Sequence, residues 1–123
     1  MTDADQIWNR ALDRDVPALA AGDRALSSLL RAHGLAMNGG VLHAVELLSS
    51  EELARARDGY AFFGLSNIAD LFLRALVALE EGRDLGALES RFDQEYEGYI
   101  PDDSALFSRF ESHFRSNPGD FAP

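Results

Sequence analysis

Eighteen alanines and eighteen leucines stand against four valines, three isoleucines and one threonine in this 123-residue chain. β-branched side chains fit a pleated surface, whereas alanine and leucine lose least on entering a helix. No alternating strand pattern, internal repeat or low-complexity tract interrupts that bias. The ratio predicts an all-α protein. Length sets the rest, because a chain of this size buries one hydrophobic core and not two. The expectation is a compact single-domain bundle of six or seven helices with short connections, spanning residues 1–123.

Breakers and caps mark the helices. Thr2 is the expected N-cap of the first, whose apolar face is Ile7, Trp8, Ala11 and Leu12, with a helical turn expected between Pro17 and Ala21. Asp23 is the N-cap candidate of the second, which carries Leu26, Leu29, Leu30 and Ala36 and runs into Asn38-Gly39-Gly40. That turn is the strongest breaker in the sequence, because asparagine and glycine tolerate positive φ. Val41–Leu48 is almost wholly apolar and must pack on several sides. Ser49 or Ser50 caps the next helix, with Glu51 and Glu52 favourably placed at its positive end. Asp58-Gly59 and Gly64 bracket Tyr60, Phe62 and Phe63. Ser66 opens a helix with Ile68, Leu71, Phe72, Ala75, Leu76 and Leu79 inward. Asp84 opens another with Leu85, Leu88, Phe92, Tyr96 and Tyr99 on one face. Asp102 or Asp103 opens the last, which carries Leu106, Phe107, Phe110 and Phe114 and stops at Asn117-Pro118-Gly119.

Composition excludes several functions. The chain has 21 acidic residues and 11 basic ones, a formal net charge of −10. A nucleic-acid or anionic-membrane binder needs a basic footprint, so neither DNA, RNA nor a lipid surface is an expected direct partner. The absence of cysteine removes disulfides, thiol nucleophiles and cysteine-ligated zinc. Met1–Gln6 has no basic stretch ahead of an apolar one, and no apolar run approaches the roughly 20 residues of a membrane span. The expected location is the cytoplasm.

No residue volunteers for catalysis. His33, His43 and His113 match no local ligand spacing, so each is read as structural or surface, and no metal or other cofactor is expected. No serine sits in a strand-to-helix elbow. The Asn38-Gly39-Gly40 turn lacks the lysine and preceding strand of a phosphate loop. An alternative to a protein-interaction role is a small-ligand or enzymatic pocket near that turn, lined by His43, Tyr60 and Tyr96.

The acids are unevenly placed. Residues 1–77 hold ten acids and seven arginines, and residues 78–123 hold eleven and four. Glu51 with Arg55, Asp70 with Arg74 and Glu111 with Arg115 are i,i+4 pairs in the favourable order. Nine acids, Glu80, Glu81, Asp84, Glu89, Asp93, Glu95, Glu97, Asp102 and Asp103, cluster in the later segment beside two arginines. Glu89, Asp93 and Glu97 form a like-charge stripe at four-residue steps, with Arg91 offering relief through Glu95. Each such neighbour pair costs a helix about 0.2–0.5 kcal/mol. A solvated face explains such an excess. So does a surface that presents carboxylates as a nucleic-acid backbone presents phosphates, aimed at a basic, DNA-binding protein. Exposed aromatics on the last two helices would let two copies pair, so a homodimer is a further expected assembly.

Asn38-Gly39-Gly40 after a helix, Leu88-Glu89-Ser90-Arg91-Phe92 with Tyr96, and a tail at Asn117-Pro118 with Phe121 together resemble the DMP19-like family over about residues 20–121. That family has an Asn-Gly-Gly turn, a late Leu-Asp-x-x-Phe/Tyr helix and a tail near His/Asn-Pro. Here the turn continues into Val41-Leu42-His43-Ala44, where the family usually has aromatics. The resemblance implies a small, acidic, all-helical bacterial protein. The family's namesake is a DNA mimic that binds a transcription factor in place of its operator, so the resemblance implies a protein partner too.

Overall fold

The computed structural model describes residues 3–82 and 84–123, and Thr2, the expected first cap, lies outside them. The described residues form seven α-helices: α1 (Asp3–Leu12), α2 (Ala21–Gly39), α3 (Val41–Leu47), α4 (Ser50–Phe62), α5 (Ser66–Glu81), α6 (Leu85–Tyr99) and α7 (Asp103–Ser116). A 3-10 turn at Pro118–Asp120 follows, and no strand occurs among these residues. The protein is a compact all-α bundle.

Local chemistry sets several boundaries. Ser49 and Glu52 form a reciprocal capping box at the start of α4. It satisfies two backbone donors that the helix cannot bond internally. The Asp102 side chain accepts the Ala105 amide at 2.9 Å and so starts α7. Gly82 ends α5 in the left-handed conformation, at φ 65°. The helical turn expected between Pro17 and Ala21 does not form. Instead Asp13 accepts the Asp15 amide through its side chain and the Val16 amide through its carbonyl, and α2 begins only at Ala21. Gly59 does not break α4 either. The helix runs through it because glycine there lets α2 and α4 touch backbone to backbone.

α2 is the spine, packed against α1, α3 and α4, while α5 lies across α3, α4 and α6. Leu26, Leu29 and Ala32 of α2 meet Ala56 and Tyr60 of α4 and Ile68, Leu71, Phe72 and Ala75 of α5 in one cluster, all fully buried. Each large apolar side chain so enclosed contributes about 1.5–3 kcal/mol relative to exposure. A second aromatic layer joins Phe63, Phe110, His113, Phe114 and Phe121. The aromatics of α6 and α7 therefore serve mainly the core. Tyr99, half exposed, is the exception, so the open aromatic surface expected for a dimer is largely absent.

The C-terminal residues are clamped. Asp23, expected as an N-cap, lies instead in the first turn of α2 and is 4% exposed. Its carboxylate accepts Arg10 Nε at 3.1 Å, Arg10 Nη2 at 2.8 Å and the Ala122 amide at 2.8 Å. Arg10 Nη2 also donates to the Ala122 carbonyl at 2.7 Å. A buried carboxylate is tolerated only when charge and donors surround it, as they do here.

Candidate functional site

The nine clustered acids fall into two groups. Four bond to other parts of the fold, although Asp102 and Asp103 are themselves exposed. Asp93, half-buried on α6, turns away from the expected stripe and accepts the Val41 amide at 2.9 Å, which holds the start of α3. It crowds Gly40, whose φ of 97° and contact with that carboxylate leave no room for a Cβ. The Asn38-Gly39-Gly40 turn is thus a junction of three helices. Glu95 pairs with Arg74 of α5, which also holds Asp70 at 2.8 Å. These contacts, Glu95 foremost, push the Arg74 guanidinium further into its charged form. Arg91, expected to relieve Glu95 along the helix, forms no ion pair with it among the described residues. Asp102 is the α7 cap already described, and Asp103 pairs with a histidine.

The others remain outside. Glu80, Glu81, Asp84, Glu89 and Glu97 are exposed. Among the described residues, Glu80, Asp84, Glu89 and Glu97 form no side-chain ion pair. Asp84 precedes α6 without a side-chain cap bond. The three expected i,i+4 pairs do form, with Arg55–Glu51 at 4.0 Å, Arg74–Asp70 at 2.8 Å and Arg115–Glu111 at 3.4 Å. Unpaired carboxylates accordingly concentrate along α6 and the end of α5.

Beneath this surface runs a polar chain that the sequence does not announce. Asp103 Oδ1 lies 2.7 Å from His33 Nε2, His33 Nδ1 lies 2.7 Å from the Tyr96 hydroxyl, and that hydroxyl lies 2.8 Å from the Tyr60 hydroxyl. The chain ties α7, α2, α6 and α4. Asp103 is largely exposed, His33 is 4% exposed, and Tyr60 is fully buried. A carboxylate only accepts, so His33 Nε2–H donates to Asp103. In the neutral ring Nδ1 then accepts from Tyr96, and the Tyr96 oxygen accepts from Tyr60. Every member is satisfied, and all bonds point outward to Asp103.

Burial drives both tyrosines toward the neutral form. The Tyr60 hydroxyl is held well above its ordinary value, by desolvation first and Tyr96 second, and Tyr96 is also raised by desolvation. A folded-state pKa above the unfolded one contributes stability fully below the unfolded value, here pH 10. That contribution is lost as pH rises further, because only the unfolded chain ionises readily. The expected result is a urea midpoint that falls above about pH 10, and falls less steeply in Tyr60→Phe. Parallel alkaline limbs for the two proteins would refute it.

The residues expected to line a pocket separate. Tyr60 and Tyr96 meet each other and His33, while His43 packs its ring against Gly39. The hollow beside the turn has about 220 Å³ and is lined by Tyr96 but neither His43 nor Tyr60. It falls below the roughly 300–1,000 Å³ of most small-molecule sites. Among the described residues no group of three His, Asp or Glu side chains is placed to hold a metal ion, and no helix is long and apolar enough to cross a membrane.

The model of the DMP19-like protein family matches residues 17–122. No curated protein and no solved structure matches the chain. The matched stretch takes in the glycine junction, the acidic helix above it and the clamped tail. This all-helical chain belongs to the DMP19-like protein family.

Proposed function

We propose that the chain is a protein-interaction module that offers the carboxylates of residues 80–103 to a basic partner, in its sharpest form as a DNA mimic toward a DNA-binding protein of the same cell. The observation that carries this reading is the set of exposed acids, Glu80, Asp84, Glu89 and Glu97, that no arginine of the described chain neutralises. With Asp93 turned inward, Glu89 and Glu97 stand two helical turns apart, about 12 Å along the axis. A basic groove built to track phosphates responds to such a row through the same Coulomb attraction.

The test uses the acids that the fold does not need. Replacing Glu80, Glu89 and Glu97 together with arginine should leave the far-ultraviolet circular dichroism unchanged. It should weaken binding to the partner about 100-fold, or about 2.7 kcal/mol. Wild-type binding should weaken steeply with salt, and double-stranded DNA should compete for the partner's basic groove. Binding that ignores salt, or that survives the triple reversal, would show that the face only solubilises the protein. So would the absence of binding to any repressor or nucleoid protein of the cell.

A further inference from the structure

A groove of about 410 Å³ runs between the end of α1, the outer face of α2 and the first turns of α4. Its charge opposes that of the molecule. Arg14, Arg31 and Arg55 line it against one carboxylate, Glu52, in a chain of net charge −10. None of the nine clustered acids lines it. Glu52 is already committed, since Oε1 accepts the Ser49 amide and Oε2 meets Arg31 at 2.7 Å. That contact is made by Arg31 Nε itself, which lies close to Glu52 Oε2 but out of line for a hydrogen bond, and the two terminal nitrogens of the guanidinium face no second carboxylate of the groove. Arg55 reaches Glu51 only at 4.0 Å, and both side chains are mostly exposed. The groove also has an apolar wall, where Leu12 is 56% exposed and Leu30 and Leu35 lie behind it.

Gly34 leaves room in the same groove. It lies well inside the 19-residue α2, where glycine is poorer than alanine by about 1 kcal/mol. The other glycines inside α2 and α4 have packing reasons. A Cβ on Gly22 would strike Phe121, one on Gly39 the His43 ring, and one on Gly59 the Ala25 carbonyl. A Cβ on Gly34 would meet nothing within 4 Å, and its conformation is ordinary. Nothing in the described chain uses that space, and the space opens onto the groove.

We infer that this groove binds a small amphipathic oxyanion, an aryl or alkyl phosphate or carboxylate. Its apolar body would lie over Leu12 and Gly34, and its charged end would take the terminal guanidinium nitrogens of Arg31 and Arg55. Guanidinium forks suit either oxyanion, and the volume suits a ligand of that size. The inference is independent of the acidic face.

Titration of the intact protein with naphthyl phosphate and with naphthoate, followed by amide chemical shifts, tests it and separates the two oxyanions. Saturable binding is expected with at least one of them below about 1 mM, with the shifts centred on Gly34 and Leu35. Inorganic phosphate and naphthol should each bind at least tenfold more weakly, because each lacks half of the recognition. Gly34→Leu fills the cradle and should weaken binding at least tenfold without lowering Tm, and Arg55→Gln should weaken it severalfold. No saturable binding of either probe, shifts that map elsewhere, or full affinity in Gly34→Leu would overturn the assignment.

Discussion

Replacing His33 with alanine should cost about 3–5 kcal/mol, the sum of a cavity left by a large buried side chain and a stranded hydroxyl. The second contribution follows from the direction of the chain. Tyr60 donates to Tyr96, and Tyr96 donates to His33 Nδ1. Without the imidazole, Tyr96 can turn its proton toward Tyr60, but then Tyr60 loses its own acceptor. Either arrangement leaves one buried O–H unsatisfied, because both rings are enclosed by core side chains such as Phe72. The outer end should behave differently. Asp103 is largely exposed, so Asp103→Ala lets water approach His33 Nε2 and should cost about 1 kcal/mol. Urea unfolding of the two variants reads this asymmetry. A His33→Ala loss below about 1 kcal/mol would mean that the chain contributes little to stability.

Gly59→Ala is the second large effect. Its added Cβ would sit 2.4 Å from the Ala25 carbonyl oxygen and 3.3 Å from the Leu29 Cβ. The first obstacle is backbone, so no rotamer change relieves it, and α2 and α4 must separate. These two helices form the most extensive pairing in the fold. Overpacking typically costs 1–3 kcal/mol and occasionally more, and a backbone collision belongs at the upper end, about 3 kcal/mol or beyond. At this chain length that lowers Tm by about 10 °C. The same substitution at Gly34, where space is open, should instead raise stability by about 0.5–1 kcal/mol. Thermal denaturation of both variants gives opposite signs if the close approach is the reason for Gly59. Equal shifts would attribute both glycines to helix propensity alone.

The helices were legible because their signals are local. Ser49 with Glu52, Asp102 and the Asn38-Gly39-Gly40 turn mark ends through chemistry that acts within four residues, and all of them do so in the structure, whereas Ser66 begins α5 without a side-chain cap bond. The apolar face of α5 was equally readable, since Ile68, Leu71, Phe72 and Ala75 follow helical spacing and are all buried. What could not be read is which distant partner a polar side chain meets. Asp23 looked like a cap and is a buried anchor for Arg10 and Ala122. Asp93 reads as part of a surface stripe and Glu95 as the partner of Arg91, yet they bond to Val41 and Arg74 on other helices. Gly59 reads as a breaker, although its task is set by a carbonyl 34 positions earlier.

His33 shows where the acidic segment and the core become one problem. Periodicity alone placed it on α2 without saying that it faced inward among aromatics. Its best clue was the pair of tyrosines noted for a pocket that does not contain them both. Four of the nine clustered acids turn out to be architectural, which reduces the functional question to a smaller set of unpaired carboxylates. Charge counts could not make that division, because a paired and an unpaired glutamate contribute equally to net charge.

The clamp between Arg10, Asp23 and Ala122 has a consequence for synthesis. Its hydrogen bonds join residues 112 and 99 positions apart, and Phe121 beside it is buried against the aromatic layer. On a ribosome, α1 and the first turn of α2 emerge long before their partners. They must wait with a charged carboxylate and an apolar face unfilled until residue 122 clears the exit tunnel. Locking of the N-terminal helix is therefore late relative to the rest of this fold, and any pause before residue 122 emerges prolongs the interval in which that surface is open to chaperones.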